Sequence, residues 1–314
     1  MRICPNAWHL LVANPVLAGI TYLTRKYPKA KVVGLCHGYN AVYKIAEMLG
    51  LEKENIKFEI SGVNHFVWLT HFTYKGEDAF PILNQWIELK AEDYYKNDPK
   101  PYNPLCRKLI DVYQRFGILP IGDTASWTGA SWPWWYQSDL EVEKLWGQEP
   151  SIGWNGYFEG VRSTAADIKR YSEDSNMKLM DEIELSHSGE PMIPFIESIA
   201  FDIERIIITN IQNTNEFVKG VPTDFEVEIP TLISKKEIQG IKALVLPRNE
   251  IAHILRDRVA PTELELLAYE KGSREFLLQL ILSDKWTMSE KQANEFLDEI
   301  LDLPYHEEMK QHYK

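Results

Sequence analysis

The strongest constraint on the fold lies in the first 74 residues, where short apolar runs alternate with stretches of helical spacing. "HLLVAN" (9–14) has the length and content of a buried strand, and Asn14-Pro15 closes it. Across "PVLAGITYLTRKY" (15–27), Val16, Ile20, Leu23 and Tyr27 recur at helical spacing behind a proline. "AKVVGL" (30–35) reads as a second buried strand and "YNAVYKIAEMLG" (39–50) as a second helix closed by Gly50. "NIKFEISGV" and "FVWLTHFTY" predict two further strands before a turn at Lys75-Gly76. Strand, helix, strand, helix, strand is the order of a doubly wound α/β sheet. Beyond it the chain is mixed. Residues 80–180 read as helical and aromatic, 192–204 as an apolar-periodic helix, "RIIITNIQN" and "FEVEIPTLI" as strands, and 250–303 as a helical C-terminus. There is no internal repeat and no low-complexity linker.

Bulk properties exclude several partners. At 314 residues the chain can bury one large core or two ordinary ones. A formal charge of -12 argues against nucleic acid and against an anionic membrane surface, while leaving room for a local cationic pocket and an anionic small substrate. Three cysteines, Cys4, Cys36 and Cys106, are too few and too scattered for a disulfide framework, which favours a reducing cytoplasm. No apolar run reaches the roughly 18–20 residues that span a bilayer, and "MRICPNAWHL" lacks a signal-peptide pattern.

Chemistry concentrates at the strand ends. In open α/β sheets ligands bind outside the carboxyl ends of the strands, and Asn14, Cys36-His37 and Asn64-His65 all fall at such ends. A thiolate and an imidazole suit a divalent transition metal, so Cys36 and His65 are candidate ligands. Their bland alternatives are a small buried hydrophobe and a hydrogen-bonded structural histidine. Four of the ten tryptophans lie in residues 127–135, where core packing or a subunit interface is the plain reading.

"NPV", "GLCHG", "GVNHFVWL", "PIGDT", "SGEPMIPFI" and "GVPTDFEVEIP" occur in the order found in glycoside hydrolase family 4, the NAD- and metal-dependent glycosidases. The chain resembles this family from residue 1 to about 303, and Cys-His-Gly resembles its α-glucuronidase branch. The resemblance implies residues 1–60 as the remaining part of a Rossmann-like NAD-binding domain. It implies residues 61–314 as an α+β substrate and metal domain like the C-terminal domain of lactate and malate dehydrogenases. Cys36 and His65 match the metal ligands, usually of Mn²⁺. His37 stands where other branches carry an acid for the leaving oxygen. Asn14 and Asn64 match sugar contacts, and Tyr136 in "SWPWWYQ" is the candidate base. A uronic acid substrate also requires a cation for its carboxylate, with Arg162 and Arg205 as possibilities.

The implied reaction oxidises the sugar at C3, removes the acidified C2 proton and eliminates the glycosidic oxygen, so a pair of carboxylates is not needed. One family feature is missing. No G-x-G-x-x-G occurs in the chain, so the dinucleotide turn has no counterpart, and the expectation is a truncated chain or one complemented by another polypeptide. Such a chain should leave the edge of the sheet exposed, associate through it and lack activity by itself. A homo-oligomer, dimer or tetramer, is expected. The alternatives are an α-galacturonidase or α-galactosidase of the same family, an inactive remnant, and a 2-hydroxy-acid dehydrogenase, against which the metal pair speaks.

Overall fold

The computed structural model describes residues 3–97, 104–125, 132–174, 178–182, 189–242 and 244–314. The expected opening alternation is present as β1 (Trp8–Leu11), α1 (Val16–Lys26), β2 (Lys31–Gly34), α2 (Ala41–Met48), β3 (Ile56–Val63) and β4 (Phe66–Tyr74). The first strand stops three residues early, and Val12, Ala13 and Asn14 are exposed. Next come β5 (Glu77–Asp78), α3 (Phe80–Asn97), α4 (Arg107–Phe116), β6 (Leu119–Ile121), α5 (Leu140–Trp146), α6 (Pro150–Glu173) and α7 (Leu179–Glu182). α8 (Met192–Phe201), β7 (Arg205–Gln212), β8 (Glu226–Ile233) and β9 (Ile238–Gly240) precede the C-terminal helices. These are α9 (Arg248–Ile254), α10 (Ala260–Lys271), α11 (Arg274–Leu282), α12 (Glu290–Leu301) and α13 (Glu307–His312), with a π-helical turn at Leu255–Val259 joining α9 to α10. None of the described helices is long and apolar enough to cross a membrane.

The described strands form one sheet in the order β1-β2-β7-β8-β3-β4-β5, with β6 on β4 and β9 on β8. The α/β class holds, with a specific difference in pairing. Only β1 and β2 are parallel neighbours, and the crossover between them is α1. β3 does not lie beside β2: the antiparallel β7–β8 ribbon, paired over eight residues, comes between them. β3 and β4 are joined by the two-residue turn Asn64-His65, and a loop that short dictates antiparallel pairing. The ribbon meets its flanks through single pairs, Gly34 with Asn210 on β2 and Gly62 with Glu228 on β3.

Packing fixes the depth of this seam. Val16, Ala18 and Ile20 bury one stripe of α1 on the sheet. A Cβ on Gly34 would sit 2.6 Å from Val16 Cγ1 and 2.7 Å from Asn210 Cβ, so only glycine admits that approach. On its other side α1 docks α10 through a bidentate Arg25–Glu263 pair at 2.7 and 2.9 Å. One core joins α2, α3 and α4 to β3 and β4 around Ile60, Leu69 and Phe72. A second lies beneath β8 around Val227, Ile229, Phe66 and Trp132.

Candidate active site

The seam is where the polar strand ends meet. Two residues beyond Gly34, Cys36 accepts from the Gly38 backbone N–H at 3.4 Å. Asn64 and His65 form the β3–β4 turn, and His65 takes a left-handed φ of 58°. Asn64 is buried, its backbone N–H donating to Glu226 Oε2 at 3.1 Å and its Nδ2 to Glu228 Oε2 at 3.0 Å. Turned so that its NH2 faces the carboxyls, the Asn210 amide reaches Glu226 Oε1 at 2.8 Å.

A short helical turn after β6, Gly122–Ala125, brings in a further acid. Thr124 fastens this turn to β4: its Oγ1 accepts from Val67 N at 2.7 Å and lies 2.9 Å from Val67 O. Asp123 Oδ2 thereby stands 3.3 Å from His65 Nε2. Gly122, at φ 60°, passes so close to Gly38 that a Cβ would lie 3.1 Å from Gly38 Cα. "GLCHG", "GVNH" and "PIGDT", distant in sequence, thus share one corner.

Burial dominates the electrostatics. It pushes the Cys36 thiol far above its ordinary value, and the nearby Glu228 adds to the shift. His65 is lowered by burial, with Asp123 opposing and Arg258 and His37 adding to the fall, which favours the neutral imidazole. The Glu228 carboxyl is pushed up to about 7 and Glu226 well above the carboxylate range, both chiefly by burial. His37 is largely exposed, and its Nδ1 contacts Glu190 Oε1.

Sequence reasoning missed four residues here: Glu226, Glu228, Asp123 and Arg258. The alternation in "FEVEIP" carried a signal, since Phe225, Val227 and Ile229 fill the core below β8. An edge or half-solvated strand would put the intervening glutamates in water. Here β7 and β3 flank them, and both are at most 1% exposed. Arg258, on the π-helical turn, places its guanidinium 4.9 Å from the Phe66 ring centroid. Burial lowers it to about 10, against the pull of Asp257 and Asp123.

Other expected residues lie apart from this corner. Asn14 is exposed on the turn before α1 and makes no hydrogen bond to the group among the described residues. Tyr136 is 1% exposed; its hydroxyl bonds Asp111 Oδ2 and its ring packs edge-on against Trp146 at 4.7 Å. Burial and Asp111 both raise its pKa, and the ring belongs to the core cluster beneath β8. Trp132 packs between Phe66 (4.7 Å) and Trp68 (5.6 Å), which supports the core reading of that tryptophan. Trp127 lies outside the described residues. Arg162 is exposed on α6, and Arg205 is engaged by Glu197 at 2.9 Å and by Pro194 O.

A mixed α/β sheet with a thiol, an imidazole and buried acids at its central seam defines a class of site built for polar small-molecule chemistry. Residues 60–287 match the family described as "Family 4 glycosyl hydrolase C-terminal domain", and residues 1–51 match "Family 4 glycosyl hydrolase". The chain belongs to glycoside hydrolase family 4. It is 27% identical over 304 residues to an alpha-glucosidase of Erwinia rhapontici, covering 90% of this chain and 64% of that protein. It is 24% identical over 317 residues to an alpha-galacturonidase of Thermoanaerobacterium saccharolyticum, covering 95% and 66%. The chain therefore spans just under two thirds of the length of these relatives. The 6-phospho-beta glucosidase of Thermotoga maritima, solved with manganese, NAD+ and glucose-6-phosphate, shares the fold at a TM-score of 0.70 and 19% identity, covering 100% of this chain and 68% of that one.

Among the described residues no three His, Cys, Asp or Glu side chains are grouped to hold an ion. Two features nevertheless suit a cation: the soft thiol and neutral imidazole of Cys36 and His65, and a buried Glu228 Oε1 with no hydrogen-bond partner. Cys36 and His65 are the residues that would hold such an ion. NAD is a different case. The turn after β1 is Ala13-Asn14-Pro15, and no glycine-rich turn follows either opening strand, so these residues do not provide a pyrophosphate cradle.

Proposed function

We propose that the chain supplies the sugar-facing acid and metal corner of a glycosidase for α-linked glucuronides. The observation that carries the reading is the convergence of Cys36, Asn64, His65, Asp123 and Glu228 on one seam of the sheet. Cys36 and His65 hold a divalent ion, which when bound polarises an adjacent carbonyl and acidifies the neighbouring C–H. The Cys36 thiol, raised by burial, would give up its proton on holding such an ion. Asp123, 3.3 Å from His65 Nε2, orients the imidazole. Asn64, fixed by two glutamates, offers the amide that remains to a sugar hydroxyl. Exposed His37, partnered with Glu190, moves a proton to the departing oxygen. The base expected at Tyr136 has no support in this geometry, and no step through NAD is assigned to these residues.

The glucuronide preference rests on the Cys-His-Gly sequence. Relatives named alpha-galacturonidase favour the C4 epimer as the second reading. Calorimetric titration with Mn²⁺, alone and with D-glucuronate, D-galacturonate or D-glucose, decides between them. The expected result is Mn²⁺ binding strengthened most by glucuronate and abolished in Cys36→Ser and in His65→Ala. Unchanged metal affinity in both variants sinks the assignment, and a larger effect of galacturonate transfers the specificity to the epimer.

A further inference from the structure

A cavity of about 870 Å³ opens between the Leu255–Val259 turn, the start of α10 and the α11–α12 pair. Its volume lies within the roughly 300–1,000 Å³ of small-molecule sites. The Trp286 side chain forms one wall. Its indole N–H donates to Gln137 O at 3.3 Å and its backbone N–H to Asp284 Oδ1 at 2.9 Å, which holds the ring as a platform while it remains 42% exposed. Arg258 lines the same cavity. Its Nη1 donates to Asp257 O at 2.9 Å, and among the described residues no carboxylate lies within salt-bridge distance of it. The neighbouring Arg256 differs, because Asp257 occupies its Nε and Nη2 at 3.0 Å each. Glu265, half-buried in the wall and without a hydrogen bond among the described residues, is an acceptor for hydroxyl groups.

We propose that this cavity is a subsite for a carboxylated pyranose, with Arg258 gripping the carboxylate and Trp286 stacking on the ring. An aromatic face, a planar cation with no carboxylate within salt-bridge distance among the described residues and an acid without a hydrogen bond among them match the apolar face, the carboxylate and the hydroxyls of such a sugar. Arg258 also faces the corner described above, since Phe66 beneath its guanidinium directly follows His65. The subsite therefore adjoins the Cys36–His65 corner. This inference rests on the glycosidase reading and adds the place where substrate charge is read.

The test is ligand-observed NMR and calorimetry on the full chain with D-glucuronate and D-glucose, without metal. Wild type should bind glucuronate and prefer it to glucose. Arg258→Met and Trp286→Ala should each weaken glucuronate about tenfold or more. Arg258→Lys, which keeps charge and loses the fork, should weaken it by less, and Trp286→Phe, which keeps a platform, should retain most binding. Circular dichroism confirms that each variant is folded. The inference fails if glucuronate does not bind, if glucose binds equally well, or if neither Arg258→Met nor Trp286→Ala changes affinity. If Cys36→Ser and His65→Ala alone abolish sugar binding, the sugar lies wholly in the corner: the glycosidase reading survives and this subsite does not. If Arg258→Met and Trp286→Ala abolish it while Cys36→Ser and His65→Ala still bind Mn²⁺ normally, the subsite stands and the metal assignment falls.

Discussion

Lys108 is fully buried on α4, its Nζ donating to Gln148 Oε1 at 3.1 Å, and burial pulls its pKa down to about 8. The unfolded chain holds that proton more tightly than the folded one. The charged form thus costs the native state in full below pH 8, and the cost fades as pH climbs from about 8 towards 10.5. Unfolding free energy should rise across that window, by about 3 kcal/mol at most. In Lys108→Met the rise should shrink, although the loss of a donor to Gln148 lowers stability by a constant amount at every pH. Denaturant titrations at pH 7.5, 8.5 and 9.5 check this, and parallel curves for the two proteins would contradict it. The contrast with Arg258 is instructive. Both are sheltered cations, but Lys108 ends against a core amide while Arg258 lies over the Phe66 ring and lines a cavity.

At the scale of elements, α6 stands out. Its 24 residues contain no buried side chain, yet Trp154, Tyr157 and Phe158 form an exposed aromatic cluster, with Trp154 stacked on Phe158 at 5.9 Å. Gly156 and Gly160 weaken the helix, and a Cβ at either would meet nothing within 4 Å. A helix of this kind draws its stability from something packed on it. A second copy of the chain is the expected occupant, consistent with the homo-oligomer anticipated from sequence. Trp154→Glu with Phe158→Glu should weaken self-association about tenfold or more in light scattering. A wild-type chain that stays monomeric at high concentration would refute it. The opening strands and helices were legible because local periodicity decides them, and Cys36, Asn64 and His65 because polar groups rarely close apolar runs. Strand order was not legible, since β7 pairs with β2 across more than 170 residues. The burial of Glu226 and Glu228 was hidden for the same reason: alternation tells which face a residue takes, and only the neighbouring strands decide whether water reaches it.

The described strands form one sheet of three paired units, and the central ribbon is registered with its flanking strands through one residue pair on each side. Cooperative unfolding need not treat such a sheet as a single body. In native-state deuterium exchange, amides of Arg205–Gln212 and Glu226–Ile233 should be the slowest, with those of the β3–β4 hairpin close behind. Amides at 34–40 and those of Asn64 and His65 should exchange measurably sooner under conditions that leave those ladders closed. Uniform protection across all five segments would show that the seams are as firm as the ribbon. The candidate site straddles both seams, and its two halves are thus carried by bodies that can breathe independently. A ligand bridging Cys36 and His65 would act as a clasp, and the exchange rates of the flanking strands would report it before any turnover is measured.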